Sequence, residues 1–161
     1  MDLPKRKNNR LNNYDYSRNG AYFITICTKD RKKTLSEIVG DDAHIVPKPY
    51  DAIVEKYIRN AKEIEKYVIM PDHIHMIIRI DNGTMWASSP TKKVSSIMRS
   101  IKILTTKEIG KPIFQRSYYD HIIRSQSDYN EIWEYIENNP KKITGRCGHR
   151  PLLLTHKTQD A

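Results

Sequence analysis

Hydrophobic and polar positions follow a strand-like pattern in the middle of the chain. The stretch IEKYVIM (64–70) and the stretch HIHMIIRI (73–80) are apolar runs separated by Pro71-Asp72. Two such runs on either side of a two-residue turn signal predict a β-hairpin. The run AYFITICT (21–28) is rich in aromatic and β-branched residues and predicts a further buried strand.

Other stretches carry apolar residues at the three- and four-residue spacing of an amphipathic helix. The spacing predicts helices over 51–64, 94–109 and 127–139. Ser127 is the candidate N-cap of the last helix, which should stop before Pro140 because the residue preceding a proline disfavours helical geometry.

A fourth strand predicted over 113–124 gives the order β-α-β-β-α-β, followed by a final helix. This order indicates an α+β protein with the split βαβ, ferredoxin-like fold, in which one antiparallel sheet carries helices on one face. The other face is expected to stay open. We expect one domain spanning residues 1–161, with a basic N-terminal arm over 1–20 and a basic tail over 141–161.

The predicted strand 73–80 carries a pair of histidines, His73 and His75. Strand side chains alternate between faces, so both imidazoles lie on one face and Ile74 lies on the other. On the open face of the sheet, two imidazoles could chelate one metal ion. The more ordinary alternative is a pair of exposed polar residues that binds nothing.

Tyr135 and Asn139 lie four residues apart and therefore share one face of the last predicted helix. Tyrosine can act as a covalent nucleophile, and an asparagine carbonyl can bind a metal. A half-buried tyrosine and an end-of-helix asparagine are the ordinary alternative. Together with the histidines, Asn139 would complete three neutral ligands, and the helix would deliver ligand and nucleophile as one rigid unit.

The charge of the chain favours an anionic partner. Lys and Arg number 28 against 19 Asp and Glu, which gives a net charge of +9. Nucleic acid is the commonest partner of so basic a protein, although a cationic surface without a partner is the alternative. Basic side chains would track phosphates and aromatic ones would stack on bases or pack in the core. The candidate DNA-binding residues are Arg99, Lys102, Arg116, Tyr118 and Tyr119.

Composition also excludes some classes of protein. No stretch approaches 18 apolar residues, so we expect no membrane-spanning segment and no membrane partner. The two cysteines form no CxxC motif, which argues against a zinc knuckle and favours a cytoplasmic location.

The chain resembles the single-tyrosine HUH transposases, and among them the REP-associated tyrosine transposase branch. The resemblance rests on RLNNYDYSRNGAYFITICT (10–28), VIMPDHIHMII (68–78), FQRSYYDHIIR (114–124) and YIENNP (135–140). It implies a ferredoxin-like sheet in which His73 and His75 are metal ligands. It also implies that Asn139 is the third ligand and Tyr135 the nucleophile.

The reaction implied by the resemblance is metal-dependent cleavage and rejoining of single-stranded DNA next to a hairpin or repeat. Tyr135 would attack the scissile phosphorus and form a 5′-phosphotyrosine. Mg²⁺ or Mn²⁺ is the implied ion, and we expect Mn²⁺ to bind more tightly because imidazole suits softer metals. The family usually has asparagine where this chain has Asp72, which we expect to cap the turn without reaching the metal. Members of the family act as monomers or as homodimers, and both remain open for this chain.

Two other functions fit parts of the sequence. A non-catalytic, single-stranded nucleic-acid-binding ferredoxin-like domain would share the basic charge and the aromatic residues. A phosphodiesterase with paired histidines as acid and base would need a second HxH motif, which the sequence lacks.

Overall fold

The computed structural model describes residues 11, 13–40, 44–82 and 93–142, without the side chains of residues 141 and 142. Short 3-10 turns cover Lys29–Arg31 and Asn139–Lys142. In chain order the strands and helices are β1 (Gly20–Cys27), β2 (Ser36–Val39), β3 (His44–Pro47), α1 (Pro49–Asn60), β4 (Ile64–Ile69), β5 (His73–Ile80), α2 (Val94–Ile109), β6 (Tyr119–Ile123) and α3 (Gln126–Asn138).

Four strands form the main sheet in the order β4-β5-β1-β6, and each neighbouring pair is antiparallel. This is the strand order of the split βαβ unit, so the predicted ferredoxin-like class is confirmed. The most apolar strands, β1 and β5, occupy the centre, where both faces of a strand are covered.

The first face of the sheet is covered by α1 and α2. The alternate residues of the central strands that point to this face are almost all apolar, and they pack against the apolar stripes of the two helices. The main core includes Tyr22, Ile24, Ile26, Ile74, Met76, Ile78, Ile80, Val54, Ile58, Val94, Met98 and Ile101.

The second face is covered in part by α3, which corrects the expectation of an open face. Ile132 and Ile136 lie four residues apart on α3 and are buried against Ala21, Phe23 and Ile77 of the sheet. Because a helix with an apolar stripe must bury it, the apolar odd-numbered positions of β1 give α3 a docking surface.

Two predicted elements differ from the structure near the sheet edges. The β2–β3 ribbon was not predicted, because strands of four residues are too short for a clear alternation. The predicted strand 113–124 is reduced to β6 and a single bridge between Thr28 and Phe114. The ammonium of Lys102 donates hydrogen bonds to the carbonyls of Gln115 and Ser117, at 2.8 and 3.0 Å, so these carbonyls do not pair with a neighbouring strand.

The ends of α2 and α3 follow ordinary capping chemistry. Gly110 ends α2 with a φ of 86°, a left-handed conformation that glycine adopts without steric cost. Ser125, and not the predicted Ser127, caps α3, because its Oγ accepts a hydrogen bond from the backbone N–H of Asp128 at 3.1 Å. As predicted, α3 ends before Pro140.

The described part of the basic arm before β1, residues 11 and 13–19, has no strand or helix, but side-chain contacts fix its position. Tyr14 and Tyr16 pack against the main core, and the Tyr22 hydroxyl donates to the Arg18 carbonyl at 2.8 Å. Residues 83–92, between β5 and α2, and most of the predicted tail 141–161 lie outside the described residues. No helix in the described part of the chain is both long and apolar enough to cross a membrane.

Candidate active site

The histidine pair lies at the start of β5, on the second face of the sheet. His73 pairs with Cys27 of β1 and His75 pairs with Thr25. The two imidazole centroids are 4.6 Å apart. Both residues are buried, with 9% of the whole residue exposed for His73 and 5% for His75, which argues against a pair of solvated surface residues.

Each imidazole has its Nδ1 engaged by a neighbouring side chain. The Nδ1 of His73 lies 2.7 Å from Oδ1 of Asp72, and the Nδ1 of His75 lies 2.8 Å from Oγ1 of Thr25. Histidines that bind metals commonly engage the other ring nitrogen in this way. The arrangement leaves Nε2 of both rings as the nitrogen that could bind a ligand.

Tyr135 lies beside the histidines because α3 crosses the second face. Its ring centroid is 5.3 Å from that of His75 and 6.0 Å from that of Phe23, edge to face in both cases. Phe23 in turn stacks on His75 at 5.3 Å. The phenol ring predicted as nucleophile is therefore in contact with one of the predicted metal ligands.

Asn139 follows α3 directly and is buried, with 7% of the residue exposed. Its Nδ2 has no hydrogen-bond partner in the described part of the chain. An unpaired buried amide costs about 1–3 kcal/mol, so its presence suggests a partner that the protein alone does not supply. A half-turn of the amide exchanges its oxygen and nitrogen, so a carbonyl could occupy the same position.

The electrostatics of the site favour a neutral His75 and a protonated Tyr135. Burial, and then the neighbouring His73, hold the pKa of His75 well below its usual range. Burial raises the pKa of Tyr135, and the approach of the Asn139 amide, short of a well-formed hydrogen bond, partly opposes the increase. The hydrogen bond from His73 lowers the pKa of Asp72, and the charge of Arg31 adds to the effect.

The donor set fits the implied divalent metal. Two neutral imidazole nitrogens and a carboxamide leave the charge of the ion uncompensated and leave coordination positions for oxygen atoms of a substrate or water. No group of three or more His, Cys, Asp or Glu side chains able to hold a metal occurs among the described residues. A metal bound to the histidine pair would therefore depend on Asn139 and on oxygens from outside the protein.

Further contacts fix α3 on the sheet, and sequence reasoning missed them. At the first turn of the helix, Asp128 lies 3.0 Å from Nε2 of His121 and accepts from the Arg124 N–H at 3.2 Å. At the next residue, the Tyr129 hydroxyl donates to Oε2 of Glu65 at 2.8 Å.

The second half of α3 is held by Lys66. Its ammonium lies 4.4 Å from the ring centroid of Trp133 and 3.8 Å from a carboxylate oxygen of Glu137. The partners of Thr25, Glu65 and Lys66 depend on the register of the sheet and on where α3 docks, for which the sequence has no local signal.

The five candidate DNA-binding residues occupy different environments. Arg99 and Arg116 are exposed. Tyr119 pairs with Thr25 across the sheet and so shares the face of the histidine pair. Tyr118 packs in the main core, and the ammonium of Lys102 lies 5.7 Å from its ring centroid while holding the carbonyls described above. Arg99, Arg116 and Tyr119 are therefore the candidates with the better access to DNA.

A ferredoxin-like sheet with a buried histidine pair and a tyrosine on the covering helix defines the class of HUH-type DNA-processing domains. The family model described as "Transposase IS200 like" matches residues 16–139. The chain belongs to this family, and its role is that of a transposase, an enzyme that processes DNA.

Relatives and a solved structure agree with the family assignment. An uncharacterized protein of Haemophilus influenzae is 30% identical over 164 residues, covering 84% of this chain and 88% of the relative. The REP-associated tyrosine transposase of Escherichia coli K12 is 28% identical over 128 residues, covering 79% and 70%. A solved REP-associated tyrosine transposase bound to a REP hairpin is similar, with a TM-score of 0.57, 26% identity and coverage of 81% and 72%.

Proposed function

We propose that this protein cleaves and rejoins single-stranded DNA next to a hairpin, through a covalent 5′-phosphotyrosine on Tyr135 and with a divalent metal. The observation that carries the proposal is the contact between the Tyr135 and His75 rings, at 5.3 Å, beside two imidazoles whose Nε2 atoms are available. A nucleophile and a metal site must lie together for such a reaction.

The residues that would hold Mg²⁺ or Mn²⁺ are His73, His75 and Asn139. Bound there, the ion would polarise a phosphodiester oxygen and so make the phosphorus more electrophilic. The buried Nδ2 of Asn139, which has no hydrogen-bond partner among the described residues, and the engaged Nδ1 atoms of the histidines support this ligand set.

Tyr135 supplies the nucleophile. Its phenolic oxygen loses a proton and bonds to the scissile phosphorus. The bond from phosphorus to the 3′ oxygen breaks, and that oxygen takes up a proton to give a free 3′-hydroxyl. One phosphate ester replaces another, so a 3′-hydroxyl can reverse the step without ATP. Because burial raises the pKa of Tyr135, the resting phenol keeps its proton, and deprotonation must accompany attack.

The proposed substrate is single-stranded DNA flanking a hairpin, as suggested by the solved relative bound to a REP hairpin. The net charge of +9 and the exposed Arg99 and Arg116 suit a phosphate backbone, and Tyr119 could stack on a base beside the site. The docking of α3 on its own sheet supports a site completed within one chain.

The covalent intermediate tests the proposal directly. The protein is incubated with Mn²⁺ and an end-labelled hairpin oligonucleotide that has single-stranded flanks, and adducts are resolved on a denaturing gel. We expect an adduct with the unchanged protein, none with Tyr135→Phe, and an adduct with Tyr129→Phe, a matched control on the same helix. EDTA should prevent the reaction.

The other candidate functions predict different products in this experiment. A non-catalytic binding domain would retain the oligonucleotide on a native gel and give no adduct. A phosphodiesterase with histidines as acid and base would cut the DNA in EDTA without a covalent product. An adduct that survives in Tyr135→Phe would assign the nucleophile to another residue.

A further inference from the structure

Position 72 lies in the turn between β4 and β5, directly before the histidine pair, and hydrogen bonds hold its backbone in place. The carbonyl of Asp72 accepts hydrogen bonds from the N–H of Thr28 at 2.9 Å and from the hydroxyl of Thr28 at 3.1 Å. The N–H of Met70 donates to the carbonyl of His73 at 2.8 Å, which closes the turn. The direction of the Asp72 side chain is therefore set by the fold.

That side chain points to His73. Its Oδ1 lies 2.7 Å from Nδ1 of the imidazole, and both side chains are largely buried, with 20% of Asp72 and 11% of His73 exposed. The two nitrogens of an imidazole point in different directions, so a carboxylate on Nδ1 does not fill a ligand position at Nε2. Asp72 is thus placed to orient a ligand and is poorly placed to be one.

The second histidine has a different partner. Nδ1 of His75 lies 2.8 Å from the hydroxyl of Thr25, and a hydroxyl can either donate or accept. A carboxylate can only accept. The two imidazoles are therefore not equivalent: the tautomer of His73 is fixed by its partner, whereas that of His75 is not.

We propose that Asp72 is the positioning residue of His73. It holds the imidazole in the tautomer with hydrogen on Nδ1, so that the lone pair of Nε2 is directed to the divalent ion, and its negative charge strengthens that bond. Carboxylate partners of metal-binding histidines act in this way, and their loss typically costs 10–100-fold in metal affinity. The proposal rests on the metal site proposed above but not on the attack by Tyr135.

Nitrogen-15 NMR of the metal-free protein tests the tautomer. The long-range imidazole spectrum should show His73 with hydrogen on Nδ1. Asp72→Asn should keep the hydrogen bond but fix the tautomer less firmly, because a carboxamide can turn to offer either its oxygen or its NH2 group to Nδ1. Asp72→Ala should give a mixture of both tautomers.

Calorimetric titration with Mn²⁺ tests the effect on metal binding. We expect Asp72→Ala to weaken Mn²⁺ binding by about 10–100-fold and Asp72→Asn to weaken it less, since it loses the charge and keeps the hydrogen bond. Thr25→Val, which removes the hydroxyl partner of His75, is the matched control and should cost less than Asp72→Ala. Urea unfolding of each variant confirms that the titrated protein is folded.

The outcomes separate this proposal from the proposed reaction. Unchanged Mn²⁺ affinity in both Asp72 variants, hydrogen on Nε2 of His73, or no Mn²⁺ binding by the unchanged protein would each overturn it. A loss in Asp72→Asn as large as that in His73→Ala would make Asp72 a direct ligand. Mn²⁺ binding that depends on Asp72, in a protein that forms no covalent adduct, would leave this proposal standing while the proposed reaction fails.

Discussion

The two faces of the main sheet are covered in different ways. Two helices, α1 and α2, cover the first face with a large and almost wholly apolar core. Among the described residues, α3 is the only helix on the second face, where the buried apolar cluster has five residues, two of them on α3. The second face also buries His73, His75, Thr25 and Asn139. Strand β5 serves both faces, because its even positions are apolar and its first two odd positions are the histidines.

This difference shows how a small domain can bury polar groups. Each buried polar group without a full set of hydrogen bonds lowers stability by about 1–3 kcal/mol. Apolar burial on the first face can offset that cost, because the same strands carry both sets of side chains. We therefore expect substitutions on the first face to change stability and substitutions on the second to change chemistry.

The largest expected effect is that of Ile74→Ala, which opens a cavity in the first face. Ile74 is fully buried, and a truncation of this kind costs about 2–5 kcal/mol in the free energy of unfolding. Urea unfolding followed by circular dichroism measures the cost. The adduct formed per folded molecule should stay close to that of the unchanged protein.

His75→Ala, at the next position of the strand, is the matched comparison. It should abolish Mn²⁺ binding and adduct formation at a smaller cost in unfolding free energy than Ile74→Ala. A cost as large as that of Ile74→Ala would mean that the second face contributes to stability as much as the first.

Ile132→Ala tests the smaller core. The residue is fully buried between α3 and the sheet, and its truncation should cost about 2 kcal/mol, near the lower end for such changes, because the second face has fewer neighbours to lose. Adduct formation should decrease although Tyr135 is unchanged, since the helix would be held less firmly.

Glu131→Ala is the control for the same helix. Its side chain is exposed, so stability should change by about 0.5 kcal/mol or less and adduct formation should be retained. An unchanged adduct yield with Ile132→Ala would mean that the docking of α3 does not depend on this core.

The smallest expected effect concerns a titratable group among the buried residues of the first-face helices. Burial, followed by the charge of Glu55, raises the pKa of Asp51 from 3.8 to about 6. The folded state therefore binds the proton more tightly than the unfolded state. The contribution of Asp51 to stability is fully present below about pH 4 and is lost as the pH rises through about 6.

Asp51→Asn should remove this dependence and raise the unfolding free energy at pH 7 by about 1 kcal/mol, after allowance for the partial hydration of the carboxyl. Urea unfolding of both proteins at pH 4, 5.5 and 7 measures the difference. The gain should shrink towards zero at the lowest pH. A gain that is constant with pH would assign it to packing and not to the charge.

The sequence was most informative where a hydrophobic period was long. The bounds of β5 and α2 agree with the prediction at both ends, because eight and sixteen residues carry a clear period. The four-residue strands β2 and β3 carry too little pattern to be seen. Ile132 and Ile136 form an apolar stripe on α3, but a stripe does not identify the surface that covers it.

The candidate site could be predicted only where its residues lie close together in the sequence. His73, His75 and Tyr135 were candidates from local spacing and from the resemblance to a family, and the fold brings His75 and Tyr135 into contact. Thr25 and Phe23 were not found. Their places beside His75 depend on the register between β1 and β5, which joins residues about fifty positions apart.

The anchoring of α3 at its first turn makes the helix a lever. Ser125 and Asp128 fix one end, and Tyr135 lies ten residues further on, about 15 Å along the axis. A tilt of about 2° at the pivot would displace the phenol by about 0.5 Å, which is the tolerance of a catalytic geometry. The position of the phenol must therefore also be fixed by contacts further along α3, such as the contact of the Lys66 ammonium with the Trp133 ring.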